Sequence, residues 1–330
     1  MLVAGGAAAY WSDRPEVVAG AIAAGYFVAG LLPTFSRWLK EVNLSAADSK
    51  LMIDLFRYGF PLSLATALMQ IVGALDRWML AWLTDNKTVA EYAVGYDVAQ
   101  FTIVAIGSAL NLAFFPQILN ALHSSGMGAA KKLLSSYSLT LLSVMLPASA
   151  GFAILAGPLT DVLVGQELRA GAVPIIPWIC GAMFFAVLKA FYTDYAFQIG
   201  RWTYGTTLTA LSTLVINFGL NLYLIPRWGA IGAAQASLVS FLAAFLLSTS
   251  IGWVRGFKLP GLRLEHLKPL IATVLMILAL GLIPEYDGVF GLFLTILVGV
   301  LVYMALSIVL DIHGIRKYLK DRLMACVSRR

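Results

Sequence analysis

Asp76 and Arg77 stand side by side in an apolar run from about Tyr58 to Leu83, YGFPLSLATALMQIVGALDRWMLAWL. A charge at membrane depth costs about 2.5 kcal/mol or more, so it persists only where it faces protein or a watery cavity. Further along lie Asp97, Lys189 and Asp194, with the amides Gln70, Gln100, Asn111 and Gln198, all in apolar surroundings. Such residues can pair with each other, relay a proton or ion, or hold a phosphate. They imply a polar interior that moves or processes a polar substrate at membrane depth.

Spacing groups them. An α-helix turns 100° per residue, so Ser63, Thr66, Gln70, Gly73 and Arg77 fall within about 80° of arc. Asp76 lies about 60° off the edge of that stripe. Asp97, Gln100, Gly107, Ser108 and Asn111 share about 100° of the next helix. Polar stripes on neighbouring membrane helices turn inward. The plainer reading is interhelical hydrogen bonding; two stripes that each carry a charge point instead to a hydrated cavity.

Arg77 and Asp97 each sit roughly 10 Å below the outer surface, counted at 1.5 Å per residue from the helix ends. Arg77 is expected to pair with Asp97 or Asp76 in one state and to release in another, as a gate or a phosphate or proton site. A static buried pair that sets helix register is the alternative. Lys189 and Asp194 are about 140° apart on an α-helix, so they are not expected to pair along it. Asp194 and Gln198 share a face. Lys189 is then a partner for a carboxylate on another helix, or an anion contact for substrate.

The elements that hold these residues are membrane helices. Of 330 residues, 60% are hydrophobic and 12% charged, with a mean hydropathy of +0.84. Soluble domains carry about 25% charge. Nine spans are expected, at about 16–36, 57–83, 90–118, 133–157, 172–199, 203–225, 229–254, 268–284 and 289–311, each near the ~20 residues needed to cross the hydrocarbon. Residues 1–10 read as the stump of a tenth. With 37–56 inside, seventeen Lys and Arg fall in inside loops and four outside. This asymmetry orients the chain with its C-terminal tail in the cytoplasm. The net charge of +6 is therefore a topology signal rather than a nucleic-acid one. The basic tail reads as an anchor on anionic lipid. Pro116 and Pro147 should kink their helices, and the small residues from Gly229 to Ala236 allow close helix approach.

Several chemistries are excluded. There is no P-loop, HExxH, GxSxG or paired CxxC motif. His123, His266 and His313 fall in loops, so no metal site or nucleophile triad is built from them, and no cofactor is expected. Cys180 and Cys326 are placed too far apart for a disulfide. The first ten residues lack the basic n-region of a signal peptide.

Two segments carry a resemblance. FRYGFPLSLATALMQIVGALDRWMLAWLTDNKTVAEYAVGYDVAQF, residues 56–101, resembles the helix that opens the second lobe of polysaccharide-biosynthesis flippases. LNLYLIPRWGAIGAAQASLVSF, residues 220–241, is similar to the LIP…GAA signature of that family, and AFFPQI at 113–118 fits as well. The family comprises the O-antigen and exopolysaccharide exporters of the multidrug/oligosaccharidyl-lipid/polysaccharide superfamily. The resemblance covers about 37–254. It implies an all-α polytopic membrane protein resembling the C-terminal lobe of a two-lobed, alternating-access exporter. The implied activity is flipping of undecaprenyl-diphosphate-linked oligosaccharide across the bacterial inner membrane, coupled to an ion or proton gradient.

On this reading 1–36 is a remnant of the first lobe, 37–56 a cytoplasmic linker and 57–254 the second six-helix lobe. Residues 255–267 form a cytoplasmic loop, 268–311 a terminal hairpin and 312–330 the tail. The expected pathway residues are Arg77, Asp76, Asp97, Gln70, Gln100, Asn111, Lys189 and Asp194. The expected partners are the lipid-linked oligosaccharide, membrane lipids, and a missing first lobe or second copy that covers the stripes. Three other functions compete: a cation-coupled drug exporter of the same superfamily, a membrane polysaccharide polymerase or ligase, and a half-bundle scaffold. The short outer loops without His argue against the polymerase or ligase.

Overall fold

The computed structural model describes residues 17, 20–25, 27–28, 48–261, 263–282 and 288–316. The chain divides into two compact units, Met1–Phe56 and Arg57–Arg330. In the first unit the described residues among 17–28 are helical, within the expected span 16–36. The stump at 1–10, Cys326 and the tail beyond 316 lie outside the described residues.

Apolar composition over this length leaves the backbone one way to satisfy its polar groups in lipid, the helix. Helix α1 is Ser49–Leu83. It begins eight residues before the expected 57, because Asp48 caps it by accepting the Lys50 N–H at 2.8 Å. Asp85, whose carboxylate accepts from the Thr88 N–H at 3.0 Å, starts α2, Asn86–Ile154. Its backbone leaves helical values at Gly126, with φ 80°, dividing it into 86–125 and 127–154. Pro116 and Pro147 stay inside helical stretches.

Two short helices follow, α3 (Ala156–Leu163) and α4 (Gln166–Ala172). Arg169 ties them by donating to the carbonyls of Val164 and Asp161. Helix α5 is Ile176–Leu188; a π-helical turn, Lys189–Thr193, joins it to α6, Tyr195–Ile199. Helix α7, Tyr204–Val254, breaks at Gly229, where φ is +51°. Helices α8 (Leu267–Leu280) and α9 (Gly288–Val309) form the terminal pair. There is no strand among the described residues.

The segment LIPRWGAIGAA owes its composition to the α7 break. Pro226 cannot donate to a continuing helix, and Gly229 takes the left-handed φ that a side chain resists. A Cβ on Gly232 would sit 2.4 Å from the Leu224 carbonyl oxygen. The core lies among α1, α2, α5 and α7, around Val72, Tyr92, Tyr137, Ile176 and Phe241. Gly107 lets α2 meet α5, since a Cβ there would lie 2.5 Å from Val187. Large apolar side chains such as Trp82, Phe101, Val215 and Phe290 point outward, as in a lipid solvent.

Candidate functional site

Asp76 is fully buried. Its carboxylate accepts three hydrogen bonds at 2.6 Å each, from the Tyr92 hydroxyl, the Asn221 amide and the Ser237 hydroxyl. The donors come from α2 and from both halves of α7, so one carboxylate joins three helical segments. Asn221 also donates to Asn217 Oδ1 at 3.0 Å, and Asn217 donates to Ser237 at 3.5 Å. Asn221 Oδ1 is buried without a partner. No Lys or Arg forms an ion pair with Asp76 among the described residues.

Arg77 faces the other way. It forms an ion pair with Asp97 at 2.5 Å, with side chains 36% and 41% exposed. Of the two partners expected for Arg77, this arrangement selects Asp97. The guanidinium also stands 5.5 Å from the centre of the Tyr96 ring. Tyr96 and Tyr92 are four residues apart on α2, with ring centres 5.7 Å apart. A ladder of two tyrosines therefore separates the buried carboxylate from the half-exposed pair. Gly73 gives Tyr96 its room: a Cβ there would lie 3.0 Å from the Tyr96 hydroxyl.

The stripe on α1 is open. Ser63, Thr66 and Gln70 are exposed, and Gln100 and Asn111 on α2 are half-buried. Neither Gln70 nor Gln100 hydrogen-bonds another described side chain. Asn111 instead accepts from the Tyr195 hydroxyl and so anchors α2 to α6.

Lys189 and Asp194 require a correction. They do pair, at 2.7 Å, with both side chains 3% exposed. The 140° separation assumed an α-helix. Here the Asp194 N–H bonds the Lys189 carbonyl at 2.9 Å, an i to i+5 pattern that widens the turn and brings the two side chains onto one face. In this structure the carboxylate that Lys189 meets is thus the one five residues on, rather than one on a separate span. The Ser248 hydroxyl donates to Asp194 at 2.7 Å and fastens this turn to α7.

Tyr92, Asn217, Asn221, Ser237 and Ser248 were not singled out from the sequence. The i, i+4 spacing of Asn217 and Asn221 in an otherwise apolar run was the available signal. Tyr92, Asn221 and Ser237 also lie within the two segments that carry the family resemblance.

The arrangement defines a class first: a helical membrane bundle with a fully buried carboxylate behind an open polar face. The comparisons narrow it. Residues 4–122 match the model of a family described as "Polysaccharide biosynthesis protein". No curated protein matches the chain. Among solved structures, the fold is similar to lipid II flippase MurJ in an inward closed conformation, with TM-score 0.67 and 15% identity over 95% of this chain and 66% of that one. It is also similar to an outward-facing multidrug resistance MATE family transporter of the MOP superfamily, with TM-score 0.51 and 16% identity over 69% of this chain and 53% of that one. The chain thus spans slightly under two thirds of the first structure and about half of the second. The expected resemblance to a polysaccharide-biosynthesis family is borne out by sequence over 4–122, and the expected all-helical exporter fold is borne out over nearly the whole chain. The sequence match includes the 56–101 and 113–118 segments and starts earlier than 37.

Proposed function

We propose that this chain flips an undecaprenyl-diphosphate-linked oligosaccharide across the bacterial inner membrane, for O-antigen or exopolysaccharide synthesis, with coupling to an ion gradient. On this proposal 57–254 is the second lobe of a two-lobed exporter, the open stripe faces the cargo, and the C-terminus is cytoplasmic. The observation that carries it is the pairing of two unlike sites across Tyr92 and Tyr96. One is the buried Asp76, held only by uncharged donors; the other is the half-exposed Arg77–Asp97 pair.

A buried carboxylate without a cation favours the arrival of a proton or a monovalent cation. The hydroxyls of Tyr92 and Ser237 can rotate to accept from a protonated Asp76. The oxygens of Asn217, Asn221 and Ser237 suit a hard monovalent cation equally well. Filling this site would alter the Asp76–Tyr92 bond and, through the adjacent Tyr96, the setting of Arg77. Arg77 can exchange Asp97 for a diphosphate oxygen, since guanidinium binds both anions in the same planar geometry. That favours an anionic cargo over the cationic drugs of the alternative exporter reading.

The test is surface glycan in a flippase-deficient cell that also supplies a matching first lobe. Arg77→Ala and Asp97→Ala should each impair export at normal abundance. The exchange of Arg77→Asp with Asp97→Arg should recover part of it. Normal export by both single variants would remove the pair from the mechanism.

A further inference from the structure

At the loop end of the bundle, five cations converge on one basin. Lys131 and Lys132 open the second half of α2, Lys258 and Arg263 lie on the segment after α7, and Lys268 is in the first turn of α8. The basin has a volume of about 780 Å³. Two carboxylates line it, Glu265 and Asp311, with His313 between helices. Neither neutralises the cations. Lys131, Lys132, Lys258 and Arg263 form no ion pair among the described residues, and Lys268 donates to the Asp311 backbone carbonyl at 3.1 Å. The Asp311 carboxylate is turned instead to the Arg316 N–H at 2.9 Å. The basin therefore keeps an excess of positive charge at the loop end of the bundle.

A second cavity, about 270 Å³, lies beside it and is almost wholly apolar. Leu141, Leu188, Phe245, Trp253 and Phe257 line it, and Pro260 lines both spaces. Lys258 bridges the two: its Nζ is 5.6 Å from the centre of the Trp253 ring. A free anion would use the first space and leave the second empty. An amphiphile with an anionic head uses both.

We propose that this paired site binds an anionic membrane phospholipid, with the phosphodiester in the Lys131–Lys132–Arg263 basin and part of one acyl chain in the apolar cavity. The charge excess selects an anionic headgroup, and the adjoining apolar wall selects a lipid over a soluble phosphate. None of its lining residues bonds Asp76 or Arg77, so it stands whatever the exporter carries. It would fix the 255–266 segment, and with it the end of α7, to the membrane surface.

Native mass spectrometry of the full chain in detergent tests this, with three probes: palmitoyl-oleoyl phosphatidylglycerol, phosphatidylcholine with the same chains, and inorganic phosphate. Phosphatidylglycerol should bind well ahead of both others, and less so at high salt. Each removed cation should weaken it on the order of fivefold. Lys131→Gln with Lys132→Gln should therefore cost roughly 25-fold, and Lys258→Gln with Arg263→Gln the same, which keeps the test alive if one pair fails to fold. Lys87→Gln with Arg227→Gln should leave binding unchanged. Equal binding of the two lipids, or wild-type affinity in both basin pairs, would overturn the proposal. So would phosphate competing at the same concentration as phosphatidylglycerol, which would mark a free-anion site.

Discussion

Asp76 and Asp194 are both carboxylates closed off from solvent, and they are held in opposite ways. Asp194 has Lys189 at 2.7 Å and one hydroxyl, so its charge is cancelled inside the chain. Asp76 has three donors and, among the described residues, no cation paired with it. Removing a carboxylate from water costs several kcal/mol, which an internal partner repays only with good geometry. At Asp194 the account closes locally, and the result is a fixed joint between α6 and α7. At Asp76 only uncharged donors hold the carboxylate among the described residues, and on the proposed function the balancing positive charge is a proton or cation that arrives from outside. The first arrangement suits a hinge pin, the second a place that something enters and leaves.

The largest expected effect breaks the closed pair. Lys189→Ala should destabilise the fold by about 3–5 kcal/mol, because Asp194 would remain buried and uncompensated. Lys189→Met with Asp194→Leu should restore most of that in thermal unfolding and retain export. Loss of export in a well-folded double variant would make the two sites alike. Asp76→Asn should do the reverse. Stability should change by no more than about 1–2 kcal/mol, since the hydroxyls can turn to meet the amide. Export should fall to background at normal abundance. Ordinary export by Asp76→Asn would end the ion-coupling argument.

Smaller changes sharpen the contrast. Ser248→Ala and Ser237→Ala each delete one hydroxyl donor to a carboxylate, worth about 1.5–3 kcal/mol for a charged acceptor. Measured per folded molecule, Ser248→Ala should leave export intact, whereas Ser237→Ala should lower it and shift its dependence on pH or sodium. Least affected in stability should be Arg77→Ala. Its pair with Asp97 is more than a third exposed and contributes under about 1 kcal/mol. A large melting-point drop in Arg77→Ala would assign that pair to the scaffold instead.

The sequence made the helices legible because lipid-length apolar runs admit few alternatives. It also located Asp76, Arg77, Asp97, Lys189 and Asp194 as residues that need an explanation at depth. What it hid was direction. Helical spacing set Arg77 on the polar stripe and Asp76 about 60° off it, but that Asp76 turns fully into the core against Tyr92 came only from the packing. The donors to Asp76 lie 16 to 161 residues away, so no local periodicity joins them. The Lys189–Asp194 pair was misjudged for a different reason: helical arithmetic fixes the turn at 3.6 residues, and this turn is wider.

That wider turn also bears on how relatives of this chain should be aligned. A π-turn is an α-helix holding one surplus residue, with the regular helix resuming on either side. Delete one residue between Lys189 and Asp194 and the two charges stand four apart on an ordinary helix, still facing each other. A related chain with Lys-x-x-x-Asp at this place would thus hold the same joint as Lys-x-x-x-x-Asp here. A single gap within the segment would then align equivalent atoms, whereas ungapped matching would set Asp194 against a residue that has no part in the joint.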